Sequence, residues 1–441
     1  MTDFDLVVSG GGPAGSATAW RAATNGARVL VLDKATFPRD KPCGDGLTPR
    51  AVKWLCDMGL EDRLSRFHRV DAVRLVVGDR TFEGPWPARE YGYPDHGYVA
   101  SREELDDMLL EHAASAGAEV RQGSEVLGPI VENGVACGVR YRADGREQQV
   151  GGDIVVAADG MSSRVGRALD MVPLANRPFA IAVRAQVDTA SADEPVLIVY
   201  PDLYHEGRLI PGYGWVFPMG NGKLNIGVGY VSTYRGYRDI KINDLMADFM
   251  RRLPPEWEVP SVKEMIASRS LKGWRLPMGL AVWPPWRPGA LAVGDAAGVV
   301  KPFTGVGISK ALECGNLAAD AALQALASGG PQDLSNYERI IDRTWGAHYR
   351  LGRAFVQVIG RPSAMKAFLW AGTRIAPITD FMPHLLGNLY RVKGGRPGDY
   401  IMRSAMRLAG SRPTGAQGGP RQARTERRGT ARERAGASSK R

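Results

Sequence analysis

Cysteine is scarce and scattered. Cys43, Cys56, Cys137 and Cys314 are the only four in 441 residues, and no two form a Cys-x-x-Cys pair. That spacing argues against a disulfide framework and suits reduced thiols in a cytosolic chain. The six histidines are spread as thinly, with no two at metal-ligand spacing, so no metal site is expected. No apolar run approaches the roughly 18 residues of a membrane span. The N-terminus lacks the basic stretch and apolar segment of a signal peptide, so a cytoplasmic protein is expected. Lysine is missing between Lys53 and Lys223, an absence that later separates two chemistries.

The net charge of +10 is unevenly placed. Residues 411–441 carry nine basic side chains against Glu426 and Glu433, which leaves only +3 for everything before them. The stretch is Gly-, Ala-, Ser- and Arg-rich and has no large apolar side chain, so it reads as a disordered basic tail. Nucleic acid is not an expected partner.

What the chain does contain is glycine in pattern. Residues 4–9 (FDLVVS) read as a buried strand, followed by Gly10-x-Gly12-x-x-Gly15 and a small-residue helix over 14–25. Gly10 permits the turn, Gly12 lets backbone approach a pyrophosphate, and Gly15 lets the helix pack close to the sheet. Pro13 and Ala14 start the helix, whose N-terminal N–H groups suit phosphate. Asp33 ends a second strand (27–32), placed to accept from ribose hydroxyls, with Lys34 beside it. A second segment, 290–308, is a strand ending in Gly294-Asp295 and then the loop Gly305-Val306-Gly307-Ile308 opening a helix. Asp295 suits the ribityl hydroxyls of a flavin, and the loop N–H groups suit its N1–O2 edge. A third strand (from Ile154) ends in Ala158-Asp159-Gly160. Arg102, before a helix, reads as a contact to the adenine side, or equally as a structural salt bridge.

These three motifs, in this order, resemble the FAD family of aromatic hydroxylases, flavin halogenases and geranylgeranyl reductases. Two further segments resemble the reductase branch: Lys41-Pro42-Cys43-Gly44-Asp45-Gly46-Leu47-Thr48-Pro49-Arg50, and Tyr213-Gly214-Trp215-Val216-Phe217-Pro218. The likeness spans residues 1 to about 345. It implies FAD as cofactor and reduction of isolated double bonds in a prenyl lipid, with the menaquinone side chain as one such substrate. Cys43 and Gly44 then approach the flavin. Cys43 and Asp45, or water, are the candidate proton donors, and the electron donor, NADPH or a reduced carrier, is left open. A halogenase needs a lysine amine in the region where this chain has none. An FAD monooxygenase is the stronger rival. A non-catalytic prenyl-binding protein is disfavoured by the intact cofactor motifs.

The expected fold is α/β: a doubly wound, Rossmann-like FAD domain (1–70, 98–172, 286–345) with an inserted antiparallel-sheet substrate domain (71–97, 173–285). A C-terminal helical region (346–410) and the tail (411–441) complete it. Tyr213, Trp215 and Phe217 alternate and share one face. Phe217 reads as core, and Tyr213 and Trp215 as pocket lining with polar handles at a wet boundary. The basic, aromatic helices over 345–408 suit peripheral membrane contact, and equally suit ordinary packing.

Overall fold

The computed structural model describes residues 3–375 except 87, 88 and 190–192, and six positions between 399 and 408. The tail, and the aromatic and basic positions from Phe381 to Arg396, lie outside the described residues.

In chain order the main elements are β1 (Phe4–Ser9), α1 (Pro13–Thr24), β2 (Val29–Leu32), β3 (Ala72–Val77) and β4 (Arg80–Pro85). Next come α2 (Arg102–Ser115), β5 (Glu119–Arg121), β6 (Arg146–Ala157), β7 (Phe179–Asp188), β8 (Val196–Tyr200), β9 (Gly212–Gly220) and β10 (Lys223–Val231). The last are β11 (Lys272–Pro277), β12 (Ala290–Ala292), α3 (Ile308–Ala327), α4 (Ala347–Ile359) and α5 (Pro362–Gly372).

Two large sheets organise these elements. The first has a parallel core, β12–β6–β1–β2–β5, extended by antiparallel strands: Val135–Ala143 beside β6, Glu125–Glu132 beyond it, and Trp286–Arg287 beside β12. Parallel strands covered on both faces read as continuous apolar runs, and Leu6, Val7, Val8, Leu30, Val31, Val155 and Leu291 are fully buried. β1 lies between β2 and β6, so the chain crosses over on either side of it, and a crevice opens beyond its carboxyl end. Gly10 makes the turn there with φ +106, and a side chain at Gly15 would begin 1.9 Å from the Gly10 carbonyl oxygen. Neither position has room for another residue.

The second sheet runs β11–β7–β10–β9–β8–β3–β4. It is mixed rather than wholly antiparallel as expected: β8 pairs with β3 in parallel. The hairpin β3–β4, far away in sequence, has been added to the edge that β8 presents.

Register across this sheet explains a pattern that passes unnoticed in the sequence. Asn225 stands opposite Gln186 and Phe217, Gly227 opposite Arg184 and Trp215, and Gly229 opposite Ala182 and Tyr213. Residues directly opposite share a face, so one face carries polar groups and aromatic rings in three rows. The Trp215 ring fills the space above Gly227, where a Cβ would meet it at 2.2 Å.

Candidate active site

A cavity of about 1950 Å3 runs between the two sheets. Ordinary small-molecule pockets span about 300–1,000 Å3, so this one has room for two ligands.

Its polar half lies beyond the carboxyl ends of β1, β6 and β12. Gly10, Gly12, Pro13 and Ala14 line it, whereas Gly15 lies beneath the turn. The Asp33 carboxylate accepts from the N–H groups of Gly11 at 2.8 Å and Ala35 at 2.9 Å, which orients it while each oxygen keeps a second lone pair. Lys34 lines the wall next to it. Arg102 is buried and donates twice to Asp106, at 2.7 and 2.6 Å, and Arg39 reaches the same carboxylate at 2.8 Å. Burial disfavours the Arg102 charge, but Asp106 outweighs it and holds the guanidinium protonated beyond its ordinary range. Both guanidinium tips lie within 4.0 Å of where a side chain on Gly12 would begin. Arg102 thus stands beside the glycine turn and Cys43 and also forms the salt bridge that the sequence allowed as the alternative. Asp159 accepts from Arg164 N–H at 2.7 Å with one oxygen, and its other oxygen is buried without a partner beside Gly160. Asp295, after Gly294, pairs with Lys41 at 3.7 Å. The Gly305 N–H donates to the Lys301 carbonyl at 2.9 Å, a turn that brings Gly305, Val306, Gly307 and Ile308 to the wall.

The loop 41–50 forms the junction. Asp45 is fully buried with φ 62, a left-handed conformation that Asp tolerates better than most residues. One of its oxygens accepts from Gln186 and from Asn225, each at 2.7 Å. Asn225 also donates to the Cys43 carbonyl at 2.8 Å and accepts from the Trp215 indole N–H at 2.9 Å. The other Asp45 oxygen has no partner. Burial drives the Asp45 pKa up to about 7, against the opposing pull of Arg184 and the two amides. Burial, then the Asp45 charge, also raises the Cys43 thiol, which stays neutral. The Tyr213 hydroxyl donates to the Thr304 carbonyl at 2.7 Å, and burial pushes its pKa up to about 12. Trp215 is buried and Tyr213 is anchored, so neither presents its polar handle to water. Phe217, expected in the core, packs against the buried Val70, Val99 and Leu197 and also lines the cavity over Gly44 and Gly46.

The other half is apolar. Val73, Leu75 and Val77 of β3, Leu197 and Val199 of β8, and Phe355, Phe368 and Leu369 of α4 and α5 line it.

Residues 3–341 match the family model described as FAD binding domain. The chain belongs to this family of FAD-dependent oxidoreductases. Its relatives include the menaquinone reductases of Mycobacterium tuberculosis (39% identical, over 72% of this chain and 76% of that protein) and Mycolicibacterium smegmatis (34%, over 88% and 92%). The digeranylgeranylglycerophospholipid reductase of Methanosarcina mazei is 31% identical over 78% and 80%. Within the family it is of the geranylgeranyl reductase type. Among solved structures, a geranylgeranyl bacteriochlorophyll reductase-like protein from Thermoplasma acidophilum shares the fold, with TM-score 0.71 at 24% identity over 92% and 95% of the two chains. A flavin-dependent brominase shares it more loosely, at 0.66 and 20% over 92% and 98%. FAD is the flavoenzyme's cofactor, and the polar half fits it. The helix N-terminus, the cations flanking the open space at Gly12, and Asp159 with its partnerless second oxygen line one cradle.

Gln186, Asn225, Arg184 and Arg39 escaped the sequence reading. The signal for the first three was a polar side chain within an otherwise apolar strand; Arg39 lies in the loop after β2. Among the described residues no His, Cys, Asp or Glu cluster could hold a metal.

The raised Asp45 pKa has a consequence for stability. Between the ordinary carboxyl value and about pH 7, the folded flavoenzyme binds a proton that the unfolded chain releases, so this group's contribution falls as pH rises through that window. Urea unfolding of the FAD-loaded protein should show a steeper loss from pH 5 to 8 in wild type than in Asp45→Asn. Equal slopes would mean that Asp45 is ionised in the folded state.

Proposed function

We propose that this flavoenzyme saturates isolated C=C bonds in the chain of a prenyl lipid, the menaquinone side chain among the candidates. One observation carries this reading. An apolar channel joins the FAD cradle in the same cavity, and the Cys43–Asp45 loop stands where they meet. The names of the relatives point to the same substrate class.

Reduced FAD, when bound, supplies a hydride. An isolated alkene has no carbonyl to take up charge, so positioning and exclusion of water carry much of the barrier lowering. Phe217, Leu197 and Leu75 supply the dry wall. Asp45 is the proton donor of this account: its pKa near 7 suits general-acid work at neutral pH, better than the weaker acid Cys43. Cys43 shapes the loop next to it. Trp215 and Tyr213 are positioning residues, one through Asn225 and the other by holding the loop at Thr304. NADPH or a reduced carrier re-reduces the flavin.

The lipid reaches the channel from a bilayer. No described helix is long and apolar enough to cross a membrane, which leaves surface docking. α4, α5 and their flanks expose Val358 and Trp370 among Arg361, Lys366 and Arg374. Each such cation contributes about 1 kcal/mol at an anionic surface, screened by salt. Sedimentation with anionic vesicles should show binding that weakens as salt rises; salt-independent partition, or none at low salt, would contradict this.

Anaerobic turnover of a prenyl lipid should add the mass of two hydrogens. Oxygen-dependent gain of one oxygen atom would favour a monooxygenase. The rate of reduction should decline as pH passes about 7, because the acid must be protonated. Asp45→Asn should keep FAD and lose about 10²-fold or more. Cys43→Ser should also keep FAD and lose most turnover. Full activity of folded Cys43→Ser, with only about 1–2 kcal/mol of stability lost, would make that cysteine structural.

A further inference from the structure

Beside the Gly305–Ile308 turn lies a group of charges that the chemistry above leaves unused. Glu313, on α3, is buried. Its carboxylate accepts from Arg50 Nε at 3.1 Å and Nη2 at 3.0 Å, from Lys310 Nζ at 2.9 Å and from the Trp345 indole N–H at 3.0 Å. Four bonds saturate its lone pairs. Arg50 also donates to the Tyr93 hydroxyl at 2.9 Å, and Lys310 Nζ stands 4.7 Å from the centre of the Trp345 ring. Among the described residues neither cation forms an ion pair with any other acid. Two cations therefore share one carboxylate, and the trio carries a net charge of +1.

The surplus is placed towards the cofactor. Arg50 and Lys310 line the cavity, and Glu313 does not. Lys310 is the third residue of α3, two beyond Ile308, and Arg50 ends the loop that carries Cys43 and Asp45. The dipole of α3 adds the same sign at its N-terminus. Burying an unmatched charge is costly, and a negative charge on the cavity side would offset it. Burial brings the Lys310 pKa down to about 8, against the pull of Glu313. Burial also opposes the Glu313 charge, but Lys310 and Arg50 outweigh it and bring that pKa to about 2. The other titratable groups around the trio leave its sign unchanged. Burial holds His348, Tyr349 and Cys314 in their neutral forms. Burial, and then the neighbouring cations, push the Lys301 amine strongly down.

A hydride brings two electrons and one proton to a neutral flavin ring, so reduction leaves it with one negative charge. We propose that Arg50 and Lys310, held in place by Glu313, stabilise that charge at the N1–O2 edge and make the bound FAD easier to reduce. This rests on that edge meeting the Gly305–Ile308 turn, as the motifs imply, and not on which lipid is reduced. One unit charge acting across about 10 Å at an effective dielectric near 20 shifts an equilibrium roughly tenfold, which for two electrons is about 30 mV. The test is the midpoint potential of the FAD-loaded protein, measured without lipid from about pH 7 to 9.5. At pH 7, Lys310→Met and Arg50→Met should each lower the potential by about 30 mV, and Lys310→Arg should stay near wild type. The wild type carries a second signature. Reduction raises the Lys310 pKa above about 8, so beyond that pH the reduced protein keeps a proton that the oxidised one has released. The potential should then fall by about 60 mV per pH unit in wild type, against about 30 mV in Lys310→Met and Lys310→Arg. Unchanged potentials in both methionine variants would overturn the assignment. Loss of FAD from both, with a wild-type slope that stays near 30 mV per unit, would overturn it too, as the mark of a purely structural trio.

Discussion

A carboxyl group clasped by two amides holds the two halves of this molecule in working relation. Asp45 belongs to the loop that follows the nucleotide-binding unit, and Gln186 and Asn225 belong to adjacent strands of the other sheet. An ionised carboxylate at full burial is costly unless its lone pairs are met, and here one oxygen is met twice and the other not at all. The balance lifts the group's pKa to about 7, so the protonated form predominates below that pH. The same clasp sets the height of Cys43 and Gly44 beneath Trp215 and Phe217, so a change in the amides would move the loop against the cofactor.

The surrounding wall grades in polarity along one line. At one end are a helix N-terminus, paired guanidinium groups and strand-end carboxylates, which suit phosphates and sugar hydroxyls. At the other are branched aliphatic and phenyl side chains that offer only contact. Charge strengthens at low dielectric, so a proton donor at the boundary acts on a substrate that brings no polar group of its own to the reacting atoms. Tyr213 serves the same boundary mechanically: its bond to Thr304 ties the sheet to the turn before α3.

Much of the cofactor half was legible in sequence because its chemistry is local. The glycines, Pro13 and Asp33 act within one strand–turn–helix–strand unit, and each spacing has a backbone reason. The substrate half was legible only as strands. Asn225 bonds to a residue 180 positions away, and Gln186 to one 141 away, and no local pattern announces such partners. The parallel joining of β3 to β8 was missed for the same reason, and without it Val73 and Leu75 have no place in the cavity. Phe217 was read as core because an apolar side chain on a strand usually is. Only the register of β9 against β10 turns it over the loop.

The proposed proton transfer needs a protonated carboxyl at the junction. Infrared difference spectroscopy of the FAD-loaded protein, wild type against Asp45→Asn across pH, reads it directly. A carbonyl stretch of a protonated carboxylic acid should be present at pH 6, fade as pH passes about 7 and be absent from the variant. Its absence from wild type at pH 6, with carboxylate bands already fully developed, would show Asp45 ionised and contradict its role as the acid.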